Sequence, residues 1–220
     1  MPRLLIADDH ELARAGLRNV LTTEPDLEVI GEAATGREAV ALCHRTRPDL
    51  VLMDVRMPDM DGLAATRAIK QESPGTSVLM VTMHEKPAYL LEALKAGAAG
   101  YILKDASEEE LLGAVRQILA GESLLNPELA TKALRELAGE ATGGAAVPEQ
   151  LTPREREVLQ FLARGQTNAQ IADELTVSVN TVKVHVEHII QKLGVSDRTQ
   201  AAVRAVELGL VTSTDPASGH

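Results

Sequence analysis

Aromatic residues, cysteine and long hydrophobic runs are all scarce in this chain of 220 residues. It has two Tyr, one Phe and no Trp, too few rings for a base-stacking platform or an aromatic cage. The single cysteine excludes an intrachain disulfide and a cysteine-based zinc site. No apolar run reaches the roughly 18 residues of a membrane span, and no basic segment leads into a long apolar stretch at the N-terminus. We therefore expect a cytoplasmic protein with no membrane partner.

Hydrophobic residues make up 45% and charged residues 25% of the chain, which is enough apolar material for a folded core. The length fits two small domains. The net charge of −10 is unevenly distributed, with −8 in residues 1–147 and −2 in residues 148–220. This asymmetry indicates an acidic N-terminal domain followed by a more neutral C-terminal one.

The first 120 residues alternate between short apolar runs and stretches with helical spacing. Nearly continuous apolar runs of this length are typical of parallel strands that are buried on both faces. We expect a doubly wound, flavodoxin-like α/β domain with a five-stranded parallel sheet, in which ligands bind at the carboxyl ends of the strands. The five runs are 4–7, 27–34, 50–53, 77–81 and 100–103.

Glycine-rich and capping sequences divide the rest of the chain. Small residues without periodicity at 138–148 predict a flexible linker. Helical periodicity then returns, with helix starts at Thr152, Thr167, Ser178 and Ser196. The expected organisation is an α/β domain at 1–121, a linker with a short helix at 122–150, a small all-α domain of four helices at 151–211, and a disordered tail at 212–220.

Polar side chains follow the predicted strands at one edge of the sheet. Asp8 and Asp9 come after the first strand and Asp54 after the third, so the three carboxylates converge if those strands are neighbours. Crowded carboxylates repel one another and are commonly held together by a hard cation. Thr82 and Lys104 end the fourth and fifth strands and add a hydroxyl and an ammonium. Together these groups are the parts needed to hold a phosphoryl group.

These residues resemble the receiver domain of two-component response regulators over about residues 2–120. The motifs are Ala7-Asp8-Asp9-His10, the run Met53–Gly62, Val81-Thr82 and Tyr101-Ile102-Leu103-Lys104. The resemblance implies that Asp54 accepts a phosphoryl group from a sensor histidine kinase and that Lys104 pairs with the phosphate. It also implies a Mg²⁺ site made by Asp8, Asp9, Asp54 and the carbonyl of Arg56, and a switch made by Thr82 and Tyr101.

A phosphatase of the haloacid dehalogenase type is the alternative chemistry for this site, since it also uses an aspartate nucleophile, magnesium and a lysine. That family carries its nucleophile in an Asp-x-Asp motif after the first strand. Here Asp8 and Asp9 are adjacent and Asp54 follows the third strand. We therefore expect a protein that is not an enzyme.

The C-terminal residues contain a tight break at 176–178 between two helical segments, which is the geometry of a helix-turn-helix. The runs Leu151–Leu159, Ser178–Val186 and Lys192–Val195 resemble the LuxR-type helix-turn-helix, and the domain order resembles the NarL/FixJ class of response regulators. The resemblance implies that this helix binds double-stranded DNA through Thr181, Lys183, Val184, Glu187 and Lys192.

Helical spacing over 178–192 predicts an inward stripe of Val179, Val182, Val186, Ile189 and Leu193. By resemblance, Lys183, Val184 and Glu187 address base edges, whereas Thr181 and Lys192 contact phosphates. Glu187 departs from the basic or neutral residue that is common in the family, so it either accepts from cytosine N4 or stays in solvent.

Two other groups of side chains have competing interpretations. His185 and His188 lie three residues apart and could hold a metal, but no third ligand stands at metal spacing. Cys43 is either a redox sensor or a small buried apolar residue among Val40, Ala41 and Leu42. We expect the buried role for Cys43 and no metal at the histidines.

The combined prediction is a DNA-binding response regulator that uses phosphorylation of Asp54 to control transcription, and that binds DNA as a homodimer. The apolar face of the last helix, near residues 196–208, is either the dimer surface or packed within the domain. A constitutive DNA-binding protein with a scaffold domain is a rival, but a scaffold needs none of the site residues. A ligand-sensing LuxR-type regulator is a poorer rival, since residues 1–120 lack an apolar-aromatic pocket pattern.

Overall fold

The computed structural model describes residues 1–83, 87–122, 124 and 151–207. The chain divides into two compact units, an N-terminal α/β unit and a C-terminal helical unit. The expected linker helix and most of the linker lie outside the described residues, as does the expected tail. The domain limits at residues 121 and 151 therefore stay predictions.

The N-terminal unit is a five-stranded parallel sheet with the strand order β2-β1-β3-β4-β5. This confirms the predicted doubly wound fold. The strands are β1 Arg3–Ala7, β2 Glu28–Ala33, β3 Leu50–Asp54, β4 Ser77–Thr82 and β5 Gly100–Leu103. The helices of this unit are α1 Glu11–Thr22, α2 Gly36–Thr46, α3 Gly62–Glu72, α4 Pro87–Ala96 and α5 Glu108–Leu119.

Burial along the strands follows their place in the sheet. Every residue of β3 and β4 is buried, and in β1 only Arg3 is not, because these strands have neighbours on both sides. The edge strand β2 buries only Ala33 fully. The apolar side chains form two clusters, one containing Leu5, Met53 and Met80 and the other Leu4, Leu52 and Leu79. Alternate residues of one strand thus supply both clusters, as the two faces of a sheet require.

The helices of the C-terminal residues are α6 Pro153–Ala163, α7 Asn168–Leu175, α8 Val179–Leu193 and α9 Arg198–Glu207. The capping box that Thr152 forms with Glu155 starts α6, as its sequence predicts. A second capping box starts α7 at Thr167, and α8 packs against both α6 and α7. The cap of the last helix lies one residue later than expected, at Asp197 instead of Ser196, because the carboxylate of Asp197 accepts from the Gln200 amide at 2.9 Å.

The loop from β3 to α3 brings backbone close to Asp54. Asp59 has a positive φ of 65°, and the Met60 amide donates to the Pro58 carbonyl at 2.7 Å. Asp61 then caps α3 through the Ala64 amide. A Cβ atom built on Gly62 would lie 1.8 Å from the carbonyl oxygen of Asp54. Glycine is required at residue 62 because backbone, which cannot rotate away, occupies that space.

We expect Gly62→Ala to lower the free energy of unfolding of the N-terminal unit by roughly 1–3 kcal/mol, since the added methyl group must displace the backbone of Asp54. The urea midpoint of this unit is the measurement. Gly113→Ala in α5 is the matched control, because no atom lies within 4 Å of its Cβ position. The control should stabilise the unit by up to about 1 kcal/mol. Equal midpoints for the two variants would contradict the close approach.

Candidate functional site

The pairing register of the sheet brings the predicted site residues to one edge. Ala7 of β1 is paired with Met53 of β3, so Asp8 and Asp54, the next residues, come to the same edge. On the other side of β3, β4 ends at Thr82, and Thr82 pairs with Leu103 of β5, the residue before Lys104. The convergence that the sequence predicts for these four side chains is therefore present.

The carboxylates of this edge form a compact acidic group. Ligand atoms of Asp8, Asp9, Asp54 and His10 all lie within 4.8 Å of one another. Asp8 and Asp54 are buried, whereas Asp9 is partly exposed. The Nδ1 atom of His10 lies 2.8 Å from an oxygen of Asp9, and the His10 amide donates to Asp8 at 2.9 Å. Three carboxylates at this spacing suit a small divalent cation that prefers oxygen ligands.

Lys104 provides the positive charge inside this group. Its Nζ atom lies 2.6 Å from Asp8 Oδ2 and 3.0 Å from Asp54 Oδ2. Burial by itself would lower the pKa of Lys104, but its hydrogen bonds to Asp8 and Asp54 outweigh burial and raise that pKa. The lysine is therefore charged and links the two buried carboxylates.

The surroundings of Asp54 shift the pKa of its carboxyl group. Burial raises the pKa of Asp54 above its ordinary value, and the nearby charge of Asp8 acts in the same direction. The hydrogen bond from Lys104 acts against both. The ionised form of Asp54 consequently depends on positive charge beside it.

Thr82 and Tyr101 are joined at the same edge. Thr82 is buried at the end of β4, and its side chain shares a hydrogen bond with the half-buried Tyr101. Burial raises the pKa of the Tyr101 hydroxyl, which keeps it neutral. The aromatic ring packs against the core cluster that contains Met53 and Met80. The two predicted switch residues are thus in direct contact.

Arg56 and Cys43 also have clear positions. Arg56 follows β3 by two residues and its side chain is exposed. Cys43 is 1% exposed, and burial raises the pKa of its thiol to about 12. A thiol that stays protonated is a poor redox centre, which confirms the buried apolar role expected for Cys43.

The exposed face of α8 carries most of the predicted DNA contacts. Ser178 caps this helix, since its Oγ accepts from the Thr181 amide at 3.1 Å. Thr181, Val184 and Glu187 are exposed, and Lys183 is half-buried. Val179 is 43% exposed, so its predicted place in the inward stripe is wrong. It is the first residue of the helix, ahead of the turn that packs on the domain.

Lys192 has a partner that its sequence position did not suggest. Its Nζ atom lies 2.8 Å and 2.7 Å from the two carboxylate oxygens of Glu155 at the start of α6. The pair is 37 residues apart in sequence, so no helical spacing could indicate it. Sequence reasoning assigned His10 no role of its own at the acidic group, and it predicted only the helix cap for Glu155. His10 could have been found, because it directly follows Asp8 and Asp9.

Comparisons with known proteins agree with both units. Residues 4–116 match the response regulator receiver domain, and residues 149–205 match the bacterial regulatory proteins of the luxR family. The chain is 42% identical to the response regulator protein VraR of Staphylococcus aureus, over 95% of this chain and 98% of that protein.

Solved structures give the same result. A LuxR-family two-component response regulator from Aurantimonas sp. SI85-9A1 is 38% identical, with a TM-score of 0.57, over 62% of this chain and 97% of that one. The RcsB response regulator of Salmonella typhimurium is 26% identical, with a TM-score of 0.54, over 93% of this chain and 98% of that one.

A receiver domain followed by a helix-turn-helix domain defines a class of transcription factors that are not enzymes. This chain belongs to that class, the LuxR-type DNA-binding response regulators of two-component systems. Receiver domains bind Mg²⁺ in an acidic pocket, and the aspartate group provides such a pocket here. Among the described residues, no helix is both long and apolar enough to span a membrane.

We expect Lys104→Met to raise the pKa of Asp54 further in the absence of divalent cations. The substitution removes the positive charge that opposes burial while keeping the length of the side chain. Titration of the Asp54 carboxyl carbon by NMR measures the shift. Lys95 stands in the last turn of α4, before β5 begins, and is not among the groups that shift the pKa of Asp54 at the end of β3, so Lys95→Met should leave this pKa unchanged. A pKa of Asp54 that is equal in Lys104→Met and the unsubstituted protein would contradict the ion pair.

Proposed function

We propose that Asp54 is the phosphoryl acceptor of this regulator and that a sensor histidine kinase is the donor. The observation that carries the proposal is the convergence of Asp8, Asp54 and Lys104, with the lysine 3.0 Å from Asp54 and 2.6 Å from Asp8. A scaffold domain has no need of two buried carboxylates around one ammonium, since burying charge costs stability unless the charges are paired.

In the proposed reaction, a carboxylate oxygen of Asp54 attacks the phosphorus of a phosphohistidine. The new O–P bond forms as the N–P bond breaks, and the imidazole leaves with the electron pair of that bond. Lys104 then exchanges its contact with Asp54 for one with the transferred phosphoryl oxygens and keeps its contact with Asp8. Ionised Asp54 is needed for attack, so the positive charge beside it favours the reactive form.

Asp8, Asp9, Asp54 and the carbonyl of Arg56 form the proposed Mg²⁺ site. Their carboxylate oxygens fit the hard oxygen ligands that Mg²⁺ prefers, and the distances within the acidic group are short enough for one ion. The bound ion supplies charge neutralisation for the entering phosphoryl oxygens. His10 contacts Asp9 through its imidazole and Asp8 through its backbone amide, and so orients both carboxylates.

Thr82 and Tyr101 form the proposed switch. Both lie at the edge that the phosphoryl group enters, and they already share a hydrogen bond. A phosphoryl group at Asp54 offers new acceptor oxygens to the Thr82 hydroxyl, which competes with that bond. Release of the Tyr101 hydroxyl then allows the ring to take a second packing, which biases the domain toward its active form.

The helix α8 is the proposed reading helix for double-stranded DNA. Lys183 and Val184 address base edges, the valine by contact with a thymine methyl group, and Thr181 contacts phosphate. Glu187 is exposed on the same side of α8 as Val184 and accepts from a cytosine amino group. Two copies bind as a homodimer on two half-sites in the cytoplasm, and phosphorylation controls this pairing.

We expect Asp54→Asn to abolish Mg²⁺-dependent labelling by acetyl phosphate, because an amide cannot form the acyl phosphate. Phosphate release at alkaline but not acid pH identifies the linkage in the unsubstituted protein. Asp59→Asn is the matched control, since Asp59 is exposed on the neighbouring loop and asparagine tolerates its positive φ. The control should be labelled normally. Equal labelling of Asp54→Asn would show that another residue is the acceptor.

We expect Lys183→Ala to weaken binding to a selected operator by about 1–3 kcal/mol and to relax preference at one position of each half-site. Operator selection from random DNA supplies the duplex, and affinity is then measured on it and on a scrambled duplex. Equal losses on both duplexes would make Lys183 a phosphate contact. If affinity is unchanged on both duplexes, this part of α8 does not enter the DNA groove.

A further inference from the structure

We propose that Glu155 and Lys192 form a clamp that positions α8 for base reading, so that Lys192 is a positioning residue and not a phosphate contact. The inference rests on the proposed role of α8 as the reading helix. It replaces the phosphate role that the family resemblance implies for Lys192.

The geometry of this pair is that of a built ion pair inside the helical unit. The Glu155 side chain is 4% exposed, and Lys192 approaches both of its oxygens, at 2.8 Å and 2.7 Å. The backbone amide of Thr152 donates to Oε2 of the same carboxylate at 2.7 Å. Burial acts to raise the pKa of Glu155, yet the hydrogen bonds from Lys192 and Thr152 hold that pKa below its ordinary value.

One carboxylate therefore ties two helices together. Glu155 completes the capping box that starts α6, and its partner Lys192 stands in the last turn of α8. His188, one turn earlier on α8, lies with Nδ1 3.9 Å from Glu155 Oε1. Because the capping box fixes the carboxylate rigidly, it also fixes the rotation and the axial position of α8 relative to α6.

Because Lys192 is paired with Glu155, it adds little net positive charge to the surface that would face DNA. A phosphate contact releases counterions only where a cation adds net positive charge to the surface. The charge of Lys192 is already balanced by Glu155, and two of its three donors face that carboxylate. Val184, by contrast, is 41% exposed about two turns toward the start of α8, so a tilt at Lys192 moves the residues that meet base edges.

The test compares Lys192→Met, Glu155→Gln and the double variant in the full-length, phosphorylated protein. Each single variant should lose about tenfold in affinity for the selected operator, the order of one lost base contact, and much less for a scrambled duplex. In Lys192→Met, which removes no phosphate contact under this proposal, the slope of log affinity against log salt should stay unchanged. Lys192→Arg, which keeps a cation with paired donors for a carboxylate, should restore most of the preference.

Controls separate the clamp from other effects. Arg204→Met removes a cation from an exposed pair with Glu207 and should leave operator preference unchanged. Thermal unfolding without DNA should give a coupling between Glu155 and Lys192 in the double-mutant cycle. The unfolding measurement tests the ion pair without DNA. If the unsubstituted protein prefers no duplex, that result counts against the proposed role of α8 and leaves the measured coupling unaffected.

Three results would overturn the clamp. Lys192→Met could lose equal affinity on both duplexes with a salt slope flatter by about 0.9 per subunit, which is the signature of a phosphate contact. It could leave both affinities unchanged, in which case the pair does not position α8. If Lys192→Met does not fold, Lys192→Arg and Glu155→Gln decide, and loss of preference in Lys192→Arg equal to that in Glu155→Gln would also contradict the clamp.

Discussion

The parallel pairing of β1 with β3 is the constraint on which the receiver site depends. It places Asp8 beside Asp54 at one sheet edge, where two buried carboxylates would repel each other without compensation. Lys104 supplies that compensation from the end of β5, so the ion pairs also tie the outer strand to the centre of the sheet. Under the proposed function, a phosphoryl group on Asp54 changes this balance of charge, so the receiver responds to chemistry at one residue.

The helical unit uses the same physical device for a different purpose. Glu155 is a buried carboxylate with a single lysine partner, but it is also fixed by the backbone amide of Thr152. In the receiver, Lys104 bridges two carboxylates, and in the proposed reaction it moves to the phosphoryl group. In the helical unit, Lys192 pairs with one carboxylate, and we propose that this pair fixes the position of α8. The two arrangements differ because Lys104 can exchange one of its two carboxylate partners, whereas Lys192 is held by Glu155.

Local sequence patterns predicted most of the fold because the relevant signals are short-range. Apolar runs marked all five strands, and the capping residues Thr152 and Thr167 marked helix starts correctly. The errors are also local in origin. Val179 has the right spacing for the buried stripe, but spacing does not tell where a helix first contacts its domain. Asp197 replaced Ser196 as the cap because two polar residues compete there.

The sequence by itself determined which side chains end each strand, and so it was sufficient to predict the acidic group with Lys104 and the resemblance to known regulators. Only the tertiary structure decided which charges neutralise one another. Lys192 reads as a surface cation on an amphipathic helix, yet it meets Glu155 across 37 residues. Such pairs depend on how α6 and α8 pack, and packing is set by the whole buried surface and not by any local pattern.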